Sequence, residues 1–290
     1  MYRRTILGLA AALGLVAAAT GPVVAAPASP SPLSFVSQLD LECFKTDPYT
    51  PPPTVIKTTH LNPVLVQAGL PPEVVKLGNR EQLCVPVDKN YRTPTPDAFN
   101  WVRFVDLSCY RIEGQQVGFP LKLDHLNPVL RDMGVPGNIV KLDRPEQLCV
   151  PVIKNNVVPP AEVLRLVRFI DLKCYSAPPP KELGVGLVLR QLNPVLANQP
   201  PRFVKVRENR QLCVPVRKND QPIPPDVLNV VQWIDLQRYD ITAPTFPTPV
   251  SLTLRHINPA LVNLPAEPVR IFASNQLALP VAKNGKVPPG

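Results

Sequence analysis

Apolar and polar residues alternate in short runs along most of this chain. In Val105-Asp106-Leu107-Ser108-Cys109, the residues Val105, Leu107 and Cys109 share one face of a strand, with Asp106 and Ser108 on the other. A second strand is predicted before each Asn-Pro, as in Leu187-Val188-Leu189 and Leu252-Thr253-Leu254. A third is β-branched, seen in Val74-Val75-Lys76-Leu77, Ile139-Val140-Lys141-Leu142 and Val204-Lys205-Val206. The fourth is Leu-Cys-Val-Pro-Val, whose proline cannot donate to a ladder and so predicts an edge strand or a bulge. Asn-Pro and Lys-Asn read as turns, and Pro159-Pro160 and Pro224-Pro225 as linkers, with a helical turn expected over Asp226-Val227-Leu228-Asn229.

This set of elements recurs four times. Leu39-Asp40-Leu41-Glu42-Cys43-Phe44 returns at Val105, Ile170 and Ile234; His60-Leu61-Asn62-Pro63 at His125, Gln191 and His256; Gln82-Leu83-Cys84-Val85-Pro86-Val87, running on to Lys89-Asn90, at Gln147, Gln211 and, altered, Gln276. The period is about 65 residues, a signature of repeat architectures. The reading is an all-β chain of four small tandem units, at 35–98, 99–162, 163–228 and 229–290. A bead-like or compact tandem array is expected ahead of a closed ring, with a propeller as a further possibility for four four-stranded units.

Composition fits. Proline contributes 40 of the 290 residues and glycine only 13. That excludes a coiled coil, a helical bundle and a Rossmann-type domain, since interior prolines cost a helix about 3 kcal/mol each. Residues 1–28 read as a secretory signal: Arg3 and Arg4, an apolar run from Ile6 to Ala19 too short for a bilayer, and Ala26-Pro27-Ala28 before the cleavage point. The expected location is secreted or extracellular, with no transmembrane anchor, in a compartment where disulfides persist.

Six cysteines allow 15 pairings. Units one to three hold two each: Cys43 and Cys84, Cys109 and Cys149, Cys174 and Cys213. Unit four has Arg238 and Ala278 at the same places, so both members vanish together, as bonding within units requires. Bonds between neighbouring units, free thiols and a zinc site are the rivals, the last disfavoured because no C-x-x-C spacing exists. Closing a loop of about 40 residues is worth roughly 4 kcal/mol in the chain-entropy model. Unit four, without a staple, is expected to be least stable unless docked, and least changed by reduction.

Candidate chemistry is sparse. His60, His125 and His256 are the three histidines and share one repeat position. Gln191 fills it in unit three, which favours hydrogen bonding over metal binding or general-base work. Asp40, Asp106, Asp171 and Asp235 recur before Leu, and Lys89, Lys154, Lys218 and Lys283 before Asn; an Asp paired with that Lys or a turn amide is the expected structural reading. No catalytic residue, metal site or cofactor is assigned. Unit three is basic, with 11 basic and three acidic residues between 165 and 219. Arg202, Arg207 and Arg210 are therefore candidate anion-binding residues, with an anionic cell-surface polymer or a protein as candidate partner. Nucleic acid is not expected, given few aromatics to stack on bases.

The run of Cys-Tyr, a strand ending in His/Gln-Leu and Leu-Cys-x-Pro-Val-x-Lys-Asn resembles an uncharacterised cysteine-containing tandem repeat of exported bacterial and archaeal proteins, with units of the form C-Y … L-x-D-Q-F … L-C-x-P-V-x-K. Asp124-His125-Leu126 stands nearest the D-Q-F element, and Leu-Asn-Pro-Val-Leu departs from it. The resemblance implies an extracytoplasmic, cysteine-stapled domain and no activity. The function expected is a non-enzymatic binding or structural module at or outside the cell surface; the alternatives are a secreted hydrolase with a site between units and an inhibitor of secreted hydrolases.

Overall fold

A computed structural model describes residues 29–290; the expected signal at 1–28 lies outside them. The first segment runs α1 (Pro32–Ser37), β1 (Leu41–Tyr49), β2 (Val55–His60), α2 (Pro63–Gln67), β3 (Glu73–Lys76) and β4 (Arg80–Lys89). The second runs α3 (Pro96–Val102), β5 (Leu107–Arg111), β6 (Phe119–His125), α4 (Pro128–Asp132), β7 (Asn138–Leu142) and β8 (Pro145–Lys154). The third has α5 (Ala161–Val167), β9 (Leu172–Ser176), β10 (Gly186–Gln191) and β11 (Arg202–Lys218), and the fourth α6 (Pro225–Val231), β12 (Leu236–Thr242), β13 (Val250–His256) and β14 (Glu267–Lys283). The fold is all-β, with every pairing antiparallel.

Eight strands close into a barrel in the order β1-β4-β5-β8-β9-β11-β12-β14 and back to β1. In place of the bead-like or compact tandem array expected ahead of a closed ring, the strands close into a ring. Within each segment the cysteine positions face each other, as in Cys43↔Cys84, but across each boundary the register moves by two residues: Cys84↔Leu107, Cys149↔Leu172, Cys213↔Leu236 and Ala278↔Leu41. Four shifts of two give a stagger of eight. For eight strands that tilts them by about 36° and leaves an interior that side chains can fill.

The lumen is filled in layers. Leu41, Leu107, Leu172 and Leu236 form one, and the six cysteines with Arg238 and Ala278 the next. The disulfides are Cys43–Cys84, Cys109–Cys149 and Cys174–Cys213, as the joint loss at Arg238 and Ala278 indicated. The four helices α1, α3, α5 and α6 touch in a ring and cap one end, burying Phe35, Trp101, Leu166 and Val230 against the same core.

The remaining strands form four hairpins that wrap the barrel. Hairpin β2–β3 covers the outer faces of β5 and β8 through Ile56, Val75 and Leu77 on Tyr110, Leu148 and Val150, and the other three hairpins repeat this one segment further on. At its edge each hairpin pairs with the last strand of the segment opposite: β2 with β11, β10 with β4, β6 with β14 and β13 with β8. This also explains the proline in Leu-Cys-Val-Pro-Val, which lies within a barrel strand and not on an edge strand. On one side of β4 the β5 ladder ends at Cys84 and the β10 ladder begins at Val87, so Pro86 sits where no neighbour needs its missing N–H. Pro151, Pro215 and Pro280 occupy the same gap.

Candidate functional site between the first hairpin and the second segment

The recurring polar motifs turn out to be joints. Asp40 and Lys89, Asp106 and Lys154, Asp171 and Lys218, and Asp235 and Lys283 form four buried ion pairs. Each aspartate also accepts from the Asn of an Asn-Pro in the following segment: Asn127 to Asp40 at 2.8 Å, Asn193 to Asp106 at 2.8 Å, Asn258 to Asp171 at 2.7 Å, and Asn62 to Asp235 at 2.6 Å, closing the ring. The same Asn side chains accept from the backbone two residues on, capping α2, α4 and the two corresponding turns. Burial pushes the carboxyls up, Asp171 and Asp235 to about 6, and the lysines down; the opposite charge resists both shifts, and the Asn donor also resists the carboxyl shift at Asp40 and Asp106. The Asn after each Lys adopts a left-handed turn and exchanges two bonds with the docked hairpin, as Asn90 does with Val188.

The histidines are buried beneath the hairpins. Nε2 of His60 lies 3.1 Å from the Tyr175 hydroxyl, His256 3.1 Å from Tyr110, and His125 3.5 Å from Tyr239. Where Gln191 replaces histidine, Phe44 replaces the tyrosine, and Gln191 donates to Glu42 at 2.6 Å. Joint replacement at Gln191 and Phe44 is the same signal that paired the cysteines, and it was present in the sequence. Burial pulls His60 down to about 3 and His125 to about 4, so both are neutral at physiological pH.

Arg238 occupies the lumen where a fourth disulfide would stand. Its guanidinium donates to Gln82 and Gln211 at 2.8 Å and to Gln147, and lies 3.0 and 2.9 Å from the sulfurs of Cys43 and Cys84. Burial lowers it to about 10, with Glu81 and Glu146 opposing. Of the candidate anion-binding arginines, Arg202 is withdrawn from the surface: it pairs with buried Glu42 and packs over Phe44 and Phe246. Arg207 faces Glu182 at 3.4 Å and Arg210 faces Asp240 at 2.6 Å, so each is already answered by a carboxylate. Among the described residues no cluster of His, Cys, Asp or Glu is placed to hold a metal, and no helix is long and apolar enough to cross a membrane.

What distinguishes one region is a gap. Each hairpin has an outer strand facing the segment that follows the next cysteine strand. At the third such seam the two pair as strands, Val206↔Ile241 and Lys205↔Thr242. At the fourth, Ile271↔Thr46 pair and Arg270 binds Asp47 at 2.7 Å; a groove of about 550 Å³ runs outside it, but the strand edge is taken. At the second, the Lys141 N–H donates to the Pro178 carbonyl at 2.7 Å and Lys181 reaches the Gly137 carbonyl.

At the first seam pairing stops at Gly78, whose N–H donates to the Arg111 carbonyl at 2.7 Å. Beyond it, no backbone hydrogen bond among the described residues joins β3 to 112–117. Two openings lie there: one of about 290 Å³ between Lys76-Leu77 and Ile112-Glu113, and a cleft of about 550 Å³ walled by Leu70, Pro71, Val74 and Val117. His60, Tyr175 and Glu73 lie at the cleft's base. Glu73 pairs there with Lys173 and accepts the Gln115 N–H at 2.5 Å. The backbone at Gly114 comes so near that a Cβ would lie 2.2 Å from the Glu73 carboxylate and 2.7 Å from Pro145.

Comparison with known proteins finds no family model that matches the chain, and no curated protein or solved structure similar to it.

Proposed function

We propose that this chain is an exported, non-enzymatic binding module acting at or outside the cell surface, with the first seam as its binding face. One observation carries the reading. Of four equivalent seams on one frame, three are filled by the chain itself and the first is left open. A rigid scaffold with one unfilled groove has the form of a binding site. Three disulfides suit an oxidising compartment, and the resemblance to exported, cysteine-stapled repeats supports the same location.

The test is a titration of isotopically labelled protein, read by backbone amide shifts, against a panel of extended peptides and heparin as a soluble acidic polysaccharide. Saturable shifts at 73–76 and 111–117 are expected. Saturable shifts confined to other residues would overturn the assignment. A second reading, a hydrolase with its site between units, draws on the His60–Tyr175 pair at the cleft base. It predicts turnover of a secreted-hydrolase substrate panel that is abolished in His60→Gln, the residue type the third segment uses at that place.

A further inference from the structure

We infer that the ligand of the first seam is an extended, proline-containing peptide that adds to β3 as an antiparallel strand and places an apolar side chain in the cleft. This rests on the binding reading above and names its partner.

Leu77 donates to Thr54 at 3.0 Å, so it faces β2. Alternation then turns the N–H and C=O of Lys76 and Val74 outward, away from β2. At the same repeat position, Lys141 donates to Pro178 and Lys205 pairs with Thr242. Lys76 should by that rule pair with Glu113, but the 290 Å³ opening lies between them. An exposed edge with free donors and acceptors is the surface that recruits a further strand.

The sister seams describe the occupant. Their filling segments are Thr46-Asp47-Pro48, Ala177-Pro178-Pro179 and Ile241-Thr242-Ala243-Pro244. Each places a small or β-branched residue first and reaches proline within three positions. The corresponding stretch of the second segment, Ile112-Glu113-Gly114-Gln115, has no proline. The difference has a physical consequence. Proline fixes φ near the extended range and leaves no N–H unpaired where the ladder ends. Gly114 instead lets the backbone press against the Glu73 carboxylate, which takes the next N–H, that of Gln115, in place of a strand pairing with Lys76. Between Lys76 and Glu113 the β3 edge is left without a backbone partner from its own chain.

The cleft supplies the second half of the recognition. At the third seam Phe246 stands two residues beyond Pro244 and stacks on Phe44 at 5.2 Å, with the Arg202 guanidinium 4.3 Å from its ring. At the first seam the equivalents are Val117, Tyr175 and Glu73, and the smaller Val117 leaves the cleft unfilled. An aromatic residue two positions after the ligand's proline would fill it over Tyr175.

The chain therefore provides its own probe. A fluorescein-labelled peptide with the sequence of residues 241–247, Ile-Thr-Ala-Pro-Thr-Phe-Pro, is titrated with the full-length oxidised protein and followed by fluorescence polarisation. Saturable binding is expected, weakened at least tenfold when both prolines of the peptide become glycine. Lys76→Pro, which removes the edge N–H, should weaken binding at least tenfold, while Lys76→Ala, which keeps it, should change it less than threefold. Since Lys76→Pro can disturb folding, the reciprocal bond of the same residue pair, from the peptide to the Lys76 carbonyl, is removed separately: methylating the backbone nitrogen of the peptide's first threonine should also cost at least tenfold. Equal losses for Lys76→Pro and Lys76→Ala with no effect of methylation would overturn strand addition. No saturable peptide binding, while heparin still shifts the amides of 73–76, would overturn the peptide assignment and leave the binding reading standing. If neither ligand moves those amides, both fall.

Discussion

The first and third hairpins lie on opposite sides of the barrel, and each pairs with the last strand of the other's segment. They meet the same burial problem with opposite signs. Glu73 of the first hairpin pairs with Lys173 of the third segment, whereas Arg202 of the third hairpin pairs with Glu42 of the first. The third joint is sealed: Glu42 is fully buried, and Phe246 stacks on Phe44 with the Arg202 guanidinium against its ring. The first is not, since the Glu73 side chain retains 20% of its exposure. Reversed charges at these two joints oppose an exchange of the first and third hairpins, because a misdocked first hairpin would bury Glu73 against Glu42. The contrast separates two jobs, with one joint built for stability and its mirror image left accessible.

The largest effect tests whether the two joints belong to one cooperative body. Full reduction of the three disulfides should lower stability by several kcal/mol, since each closed loop is worth roughly 4 kcal/mol in the chain-entropy model. The reduced protein should unfold in a single transition seen alike by far-ultraviolet circular dichroism and tryptophan fluorescence. Separate melting of a fourth segment, as independent units would show, would break the comparison. Next comes charge. Arg202→Glu should cost about 3–5 kcal/mol or prevent folding, because it leaves two carboxylates in a dry site. Glu73→Lys should cost less at the wetter joint, and urea midpoints of the two variants measure the gap. Third is packing: Phe246→Ala should cost about 3 kcal/mol, within the usual range for a buried phenylalanine. Val117→Phe at the equivalent open position should cost under about 1 kcal/mol, because the cleft has room for it.

The smallest effect is in pH. Between pH 6.5 and about 3 the unfolded chain protonates His60 while the folded chain does not. Its contribution to stability is whole above pH 6.5 and is lost as pH falls through that window. His125 acts in the same direction down to about 4. Asp171 and Asp235, raised to about 6, act oppositely: between about 4 and 6 the folded state holds their protons more tightly, so stability on their account falls as pH rises. His60→Gln should therefore flatten the acid side of the stability curve, measured as urea midpoint against pH, without moving the neutral plateau by more than about 1 kcal/mol.

Local features of the sequence spoke clearly. Alternation predicted the strands, and the shared absence of cysteine at Arg238 and Ala278 indicated the three bonds. The Lys was one of the two partners expected for the recurring Asp, a turn amide being the other, and it is the one that pairs with it just before the first strand of each segment. What stayed hidden was long-range. A hairpin such as 55–76 carries no mark saying that it will pair with 216–218, because all four hairpins share one hydrophobic pattern and differ only at single buried positions such as Glu73 and Arg202. Ring closure was hidden for the same reason, since the two-residue shift at each boundary exists only between strands. Arg202 looked like a surface cation because nothing in its neighbourhood announces Glu42, 160 residues away.

Interlocked pairing also constrains the order of assembly. The first strand finds one of its two barrel neighbours in β14, and the first hairpin rests its edge on residues 216–218. A chain emerging from its amino terminus thus makes those strands long before their partners exist. Contacts of such separation slow the search for the folded state. The finished barrel appears only when the last strand enters between the first and twelfth, so closure of the ring is one late step that waits for the final hairpin.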